Sequence, residues 1–93
     1  MTKVVWSGKA KKEFRNVIDY LFEKWTINEV QKFNHKVSEL VKNIADNTAF
    51  CAKSRMTDLR KCLIDKNNSL VYLFKNEIIN IVALIDNKSS HPY

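Results

Sequence analysis

A helical hairpin laid on one face of a β-sheet, in the order β-α-α-β-β-β, is the α+β fold that this sequence predicts. Three observations predict it. Apolar residues recur at spacings of three and four through the first half of the chain. After Leu59 they give way to short runs of β-branched and aromatic residues. Cap and turn signals fall between these segments.

Each element can be justified in order. "KVVW", Lys3 to Trp6, predicts a short opening strand, and Ser7 can cap the helix that follows by accepting from a free amide of its first turn. Ala10, Phe14, Val17, Ile18, Leu21 and Trp25 then share one helical face. "TINE", Thr26 to Glu29, matches a capping box, with Trp25 and Val30 placed for a hydrophobic staple. A second apolar stripe runs through Val30, Phe33, Val37, Leu40, Val41 and Ile44 and fades at "DNT", so the two helices form an antiparallel hairpin.

"NTAFCAKSRMTD", Asn47 to Asp58, follows neither period and predicts a loop from which Phe50 and Met56 dip into the core. Leu59 to Asp65, Ser69 to Lys75 and Ile78 to Ile85 predict three antiparallel strands separated by "KNN" and "NE". Gly8 is the only glycine, so asparagine is expected to supply the turn conformations. The 93 residues are expected to form a single domain with a small core that a stable partner would reinforce.

Composition narrows the function. Sixteen Lys and Arg against ten Asp and Glu give a net charge of +6, which favours an anionic partner. Nine basic and six acidic residues lie before a cut after Ala52, and seven and four after it, so each part carries +3 and there is no basic tail. Cys51 and Cys62, without a CxxC pair and with two histidines, argue against a zinc site or a disulfide framework and are expected as reduced thiols. The apolar run "VVW" is too short for a signal-peptide core, and no stretch approaches the roughly 18 apolar residues of a transmembrane helix. The expected location is the cytoplasm, with no membrane partner.

Candidate site residues are mostly cationic. Thirteen lysines meet the general need for positive charge, so the three arginines stand out, and two of them, Arg55 and Arg60, lie at the entrance to the sheet. A guanidinium offers a planar fork to phosphate or carboxylate, whereas an ammonium is a point charge. Alternation along a strand puts Arg60 and Lys61 on opposite faces, so the two do not readily grip one ligand atom, and Lys61 suits solubility or partner contact. Lys11, Lys12 and Arg15 cluster near the start of the first helix, where cations oppose the helix dipole, and form a candidate patch for an acidic partner.

The tail "DNKSSHPY" places Lys88, His91 and Tyr93 after the last strand, where charge stabilisation and proton transfer on a phosphodiester could be arranged. A frayed terminus is the competing reading of that segment. No glycine-rich phosphate loop, carboxylate acid-base pair or nucleophile elbow is present, and neither cofactor nor metal is expected.

"VVWSGKAKKEFRNVIDYLFEKW" resembles the opening strand and first helix of the RelE/ParE superfamily of bacterial type II toxin-antitoxin toxins. "LRKCLIDKNNSLVYLF" and "IINIVALIDNKSSHP" resemble its closing sheet, where an aspartate, a basic residue and a proline follow as Asp86, Lys88 and Pro92 do here. The resemblance implies a small basic toxin neutralised by a cognate antitoxin that wraps over the sheet and helices. Two activities come with it: poisoning of DNA gyrase in ParE-like members, and metal-free cutting of mRNA in the ribosome in RelE-like members. For a nuclease, Arg60 matches the family's second-strand arginine, Lys88 holds a place that is usually arginine, and His91 or Tyr93 would transfer the proton. Lys11, Lys12, Arg15, Arg55 and Lys61 would serve antitoxin or target binding. The lysine at position 88, the loop before the sheet and the lack of a closing helix point to the ParE-like branch, in which the toxin performs no covalent chemistry. A toxin fold kept only as a binding module is a third reading.

Overall fold

The computed structural model describes residues 2–89, so His91, Pro92 and Tyr93 lie outside the described residues. Six elements follow in order: β1 (Lys3–Trp6), α1 (Gly8–Lys24), α2 (Ile27–Asp46), β2 (Arg60–Leu63), β3 (Asn68–Lys75) and β4 (Ile78–Asp86). The strands form one sheet in the order β1-β4-β3-β2. β2, β3 and β4 pair antiparallel as expected, but β1 pairs parallel with β4, with Lys3 opposite Ile78 and Trp6 opposite Ile81. The sheet is therefore mixed. Tight turns force β2, β3 and β4 to alternate in direction, whereas β1 is separated from the rest by both helices and is free to pair parallel.

Strand alternation divides the apolar residues between the two faces of the sheet. Cys62, Leu70, Tyr72, Ile79, Ile81 and Leu84 pack against Phe33, Val37 and Ile44 of α2 and Ala10 of α1. Phe14 of α1 links the layers: its ring meets Trp6 edge-on at 5.6 Å and stacks on Phe33 at 5.9 Å. A smaller cluster of Val71, Ala83 and Ile85, with Leu59 and Val82 against it, lies on the opposite face.

β4 contains a bulge, because Tyr72 pairs with Ile81 while Val71 pairs with Ala83, so Val82 has no opposite residue. α1 supplies partners for the polar groups that the bulge leaves. The Ser7 hydroxyl donates to the Val82 carbonyl at 3.1 Å and the Leu84 amide donates to Glu13 Oε1 at 3.2 Å. Ser7 also caps α1 as expected, its Oγ accepting from the Ala10 amide at 3.0 Å.

The expected capping box is not formed. Thr26 is the N-cap of α2, but its side chain makes no capping bond, and Glu29 reaches forward to Lys32 at 3.5 Å instead. Of the two residues placed for a hydrophobic staple, Val30 is buried and Trp25 is 60% exposed. Asn76 and Glu77 both take positive φ, 54° and 63°, in the two-residue turn between β3 and β4. Asparagine was expected there. Glutamate in the left-handed region is held by the tight Lys75–Ile78 pairing. At the β2–β3 turn the Asp65 carboxylate does the corresponding work, accepting from the amides of Asn67 and Asn68 at 2.8 and 2.9 Å.

Candidate functional site

Two cationic regions stand out. The first is a groove of about 580 Å³ between the helices. Trp6, Phe14, Val37 and Val41 line it with apolar surface, and Lys11 and Arg15 contribute the charge. Lys11 and Arg15 are one helical turn apart on α1, whose first turn contains no acidic residue. Like charges at this spacing repel, and cations at a helix N-terminus oppose its dipole, so the arrangement has a small intrinsic cost that an acidic occupant would remove. Lys12 is exposed on α1 but does not line the groove.

The second region is the corner where the segment after α2 meets β2. Part of the expected loop continues the sheet: Lys53 bridges antiparallel to Arg60, the Ser54 amide donates to the Leu59 carbonyl at 2.8 Å, and the Lys61 amide donates to the Ala52 carbonyl at 3.2 Å. Arg55 lies on the exposed tip of this small hairpin, and Lys53 pairs with Asp58 at 3.2 Å. Phe50 and Met56, expected to dip into the core, are 47% and 90% exposed. The anchors are different side chains.

Those anchors are Cys51, Cys62, Tyr72 and Arg60. Cys51 and Cys62 form a disulfide with their Cα atoms 5.4 Å apart, which corrects the expectation of two reduced thiols. Sequence spacing did not reveal the pairing, because it depends on the chain doubling back along β2. The fully buried Tyr72 donates its hydroxyl to the Thr48 carbonyl at 2.8 Å and accepts from the Cys51 amide at 3.4 Å. Arg60 Nη1 donates to the Cys51 carbonyl at 2.7 Å.

Arg60 thus has an internal partner on the face shared with Cys62, and Lys61 is exposed on the other face. Both still border a cavity of about 280 Å³ together with Lys53, Ser54, Leu59 and Val71. Lys88 stands elsewhere. Arg60 pairs with Tyr72, whereas Asp86 pairs with Asn68. Four residues of strand separate these rows by about 13 Å. Lys88 lies beyond the second row in a turn, its amide donating to Asp86 Oδ1 at 2.9 Å. Its backbone is fixed by Asp86, and its side chain is exposed.

Sequence reasoning missed the partners that hold these positions. Asn87 secures the end of β4: its amide donates to the Asn67 carbonyl at 2.8 Å and its Nδ2 to the Asp65 carbonyl at 3.1 Å. Among the described residues, no helix is long and apolar enough to cross a membrane.

Two helices on one face of a four-stranded mixed sheet, with a cationic rim, define the class of RelE/ParE-like toxin folds. The chromosomal ParDE toxin-antitoxin system from P. aeruginosa has this fold at 19% identity and a TM-score of 0.76, covering 92% of this chain and 96% of that chain. The YoeB dimer from Staphylococcus aureus matches at 22% identity and a TM-score of 0.64, covering 88% and 92%. The intact E. coli RelBE toxin-antitoxin complex matches at 15% identity and a TM-score of 0.58, covering 96% and 100%. No curated protein matches the sequence. The chain belongs to the ParE toxin family of the type II toxin-antitoxin system parDE, whose family model matches residues 4–90.

Proposed function

We propose that this toxin inhibits growth by binding and poisoning DNA gyrase, and that a cognate antitoxin neutralises it in the cytoplasm. The match of residues 4–90 to the ParE family carries this reading. The cationic groups support it. Arg60 donates to the Cys51 carbonyl, and Lys88 lies beyond the Asp86 row, which is about 13 Å along the sheet from that of Arg60, so the two make no compact grip on one phosphodiester. A toxin that acts by docking needs no such grip and no covalent chemistry of its own. On this reading the antitoxin lays an amphipathic, acidic segment into the groove lined by Trp6, Phe14 and Val37, with its carboxylates toward Lys11 and Arg15. Lys12, Arg55 and Lys61 extend the contact surface.

One observation favours the RelE-like alternative. Lys53, Arg60 and Lys61 border the same cavity, where they could hold an RNA phosphate. On that reading Lys88, His91 and Tyr93 are the remaining proposed groups of a metal-free nuclease; Lys88 lies beyond a row about 13 Å from that of Arg60, and His91 and Tyr93 lie outside the described residues.

Expression in bacteria separates the readings. Gyrase poisoning predicts early DNA-damage signalling while protein synthesis continues, with toxicity retained in Arg60→Ala and Lys88→Ala. Immediate translation arrest with cleaved messages, abolished by Arg60→Ala, identifies the nuclease. Harmless expression identifies a binding module.

A further inference from the structure

The Cys51–Cys62 bond joins the segment after α2 to β2 across 11 positions of sequence. The other anchors of that segment converge on the same place: Arg60 on the Cys51 carbonyl, the Cys51 amide on Tyr72, and Tyr72 on the Thr48 carbonyl. Cys62 is only 2% exposed and Cys51 is half-buried, so Cys51 is the more accessible of the two residues to a thiol from solvent. The β3–β4 ladder is paired through its own register, from Asn68 opposite Asp86 to Lys75 opposite Ile78, while Cys62 belongs to the helix-facing core and Cys51 packs against it.

Disulfides are rare in a reducing cytosol, and those that occur there are mostly transient or redox-sensing. We propose that Cys51 and Cys62 form a thiol-redox modification site that sets how firmly residues 47–58 are held on β2. The bonded form pins the segment with the Cys51 carbonyl over Arg60. The dithiol form releases the segment and leaves the Arg60 guanidinium open to the cavity beside Lys53 and Lys61. The inference rests on this corner and on the cytoplasmic location proposed above, and holds for either target of the toxin.

The chemistry is thiol–disulfide exchange with a cellular dithiol. Its thiolate attacks the Cys51 sulfur, the Cys51–Cys62 bond breaks, and the electron pair leaves on the Cys62 sulfur, which takes up a proton. A second thiol, the dithiol's other sulfur or with glutathione a second molecule, then attacks the reductant's sulfur in the mixed disulfide and releases Cys51 as a thiol. The reductant departs as its own disulfide, having given up two electrons and two protons. Glutathione disulfide drives the reverse change.

The test equilibrates the full chain in glutathione buffers from fully oxidised to fully reduced, with alkylation and mass spectrometry to count thiols and hydrogen exchange to follow the backbone. Both thiols should appear together within the series. Amides between Thr48 and Asp58 should then exchange on the order of tenfold to a hundredfold faster, as expected when a short covalent loop closure is lost. Amides of β3 and β4 should not change. Persistence of the bond in fully reduced buffer would make it a permanent staple and overturn the proposal. So would thiols that stay free in oxidised buffer, or loss of protection across β3 and β4. A Cys51→Ser, Cys62→Ser double variant should show the released pattern in every buffer, and the pinned pattern in that variant would also overturn it. The wild-type titration needs no substitution and decides the question even if the variant fails to fold.

Discussion

The groove between α1 and α2 and the corner at β2 carry charge of the same sign but are held in different ways. In the groove, the apolar surface of Trp6, Phe14, Val37 and Val41 lies open between two helices, and Lys11 and Arg15 stand over it without an acid in the first turn of α1. At the corner, a disulfide, the Tyr72 hydroxyl and the Arg60 guanidinium fix the chain to the sheet. The groove has features that a covering partner would complete. The corner is organised without one. Apolar surface gains free energy when covered, whereas hydrogen bonds already made internally offer little further gain to a ligand.

The largest expected effect comes from removing the support of the groove. Phe33 is 3% exposed and stacks on Phe14, so Phe33→Ala should cost about 3–5 kcal/mol, read from a urea unfolding curve. Reversing the charge with Lys11→Glu and Arg15→Glu should leave the fold intact and weaken antitoxin binding roughly a hundredfold at low salt, about 2.7 kcal/mol. Titration calorimetry at two salt concentrations checks it. An unchanged affinity would move the antitoxin out of the groove.

Tyr72→Phe keeps the buried ring but leaves the Thr48 carbonyl without its donor, and should cost about 1–2 kcal/mol. Faster hydrogen exchange should be confined to the corner, with the groove unaffected. The smallest effect belongs to Lys32→Ala. Its pair with Glu29 is solvent-exposed, with side chains 69% and 43% accessible, so the unfolding free energy from a melting curve should change by less than about 0.5 kcal/mol.

The sequence made the regular elements legible and left the corner obscure. Helical periodicity identified Ala10, Phe14, Val17, Ile18 and Leu21 on α1 and Phe33, Val37, Leu40, Val41 and Ile44 on α2, all of which pack in the main core. The order of the six elements also followed from pattern, because burying one face imposes a period on the residues. Trp25 fell outside that success, since periodicity does not tell where a helix runs past the layer it packs on. The parallel pairing of β1, the bulge at Val82 and the Glu13 bond to the Leu84 amide depend on contacts between distant segments. The cysteines failed for the same reason: their pairing follows from the antiparallel bridge between Lys53 and Arg60, not from their spacing. Arg60 was singled out as an anion ligand because residue type suggests what a side chain can bind, while only the fold supplied its internal partner, the Cys51 carbonyl.

The most direct test of gyrase poisoning uses the purified toxin with DNA gyrase, ATP and supercoiled plasmid, trapping covalent enzyme–DNA complexes with detergent and scoring linear DNA on a gel. Gyrase poisoning predicts linear DNA that rises with toxin dose and disappears when the antitoxin is added. Plasmid that stays intact at every dose, from a preparation that cuts mRNA on ribosomes, would contradict it.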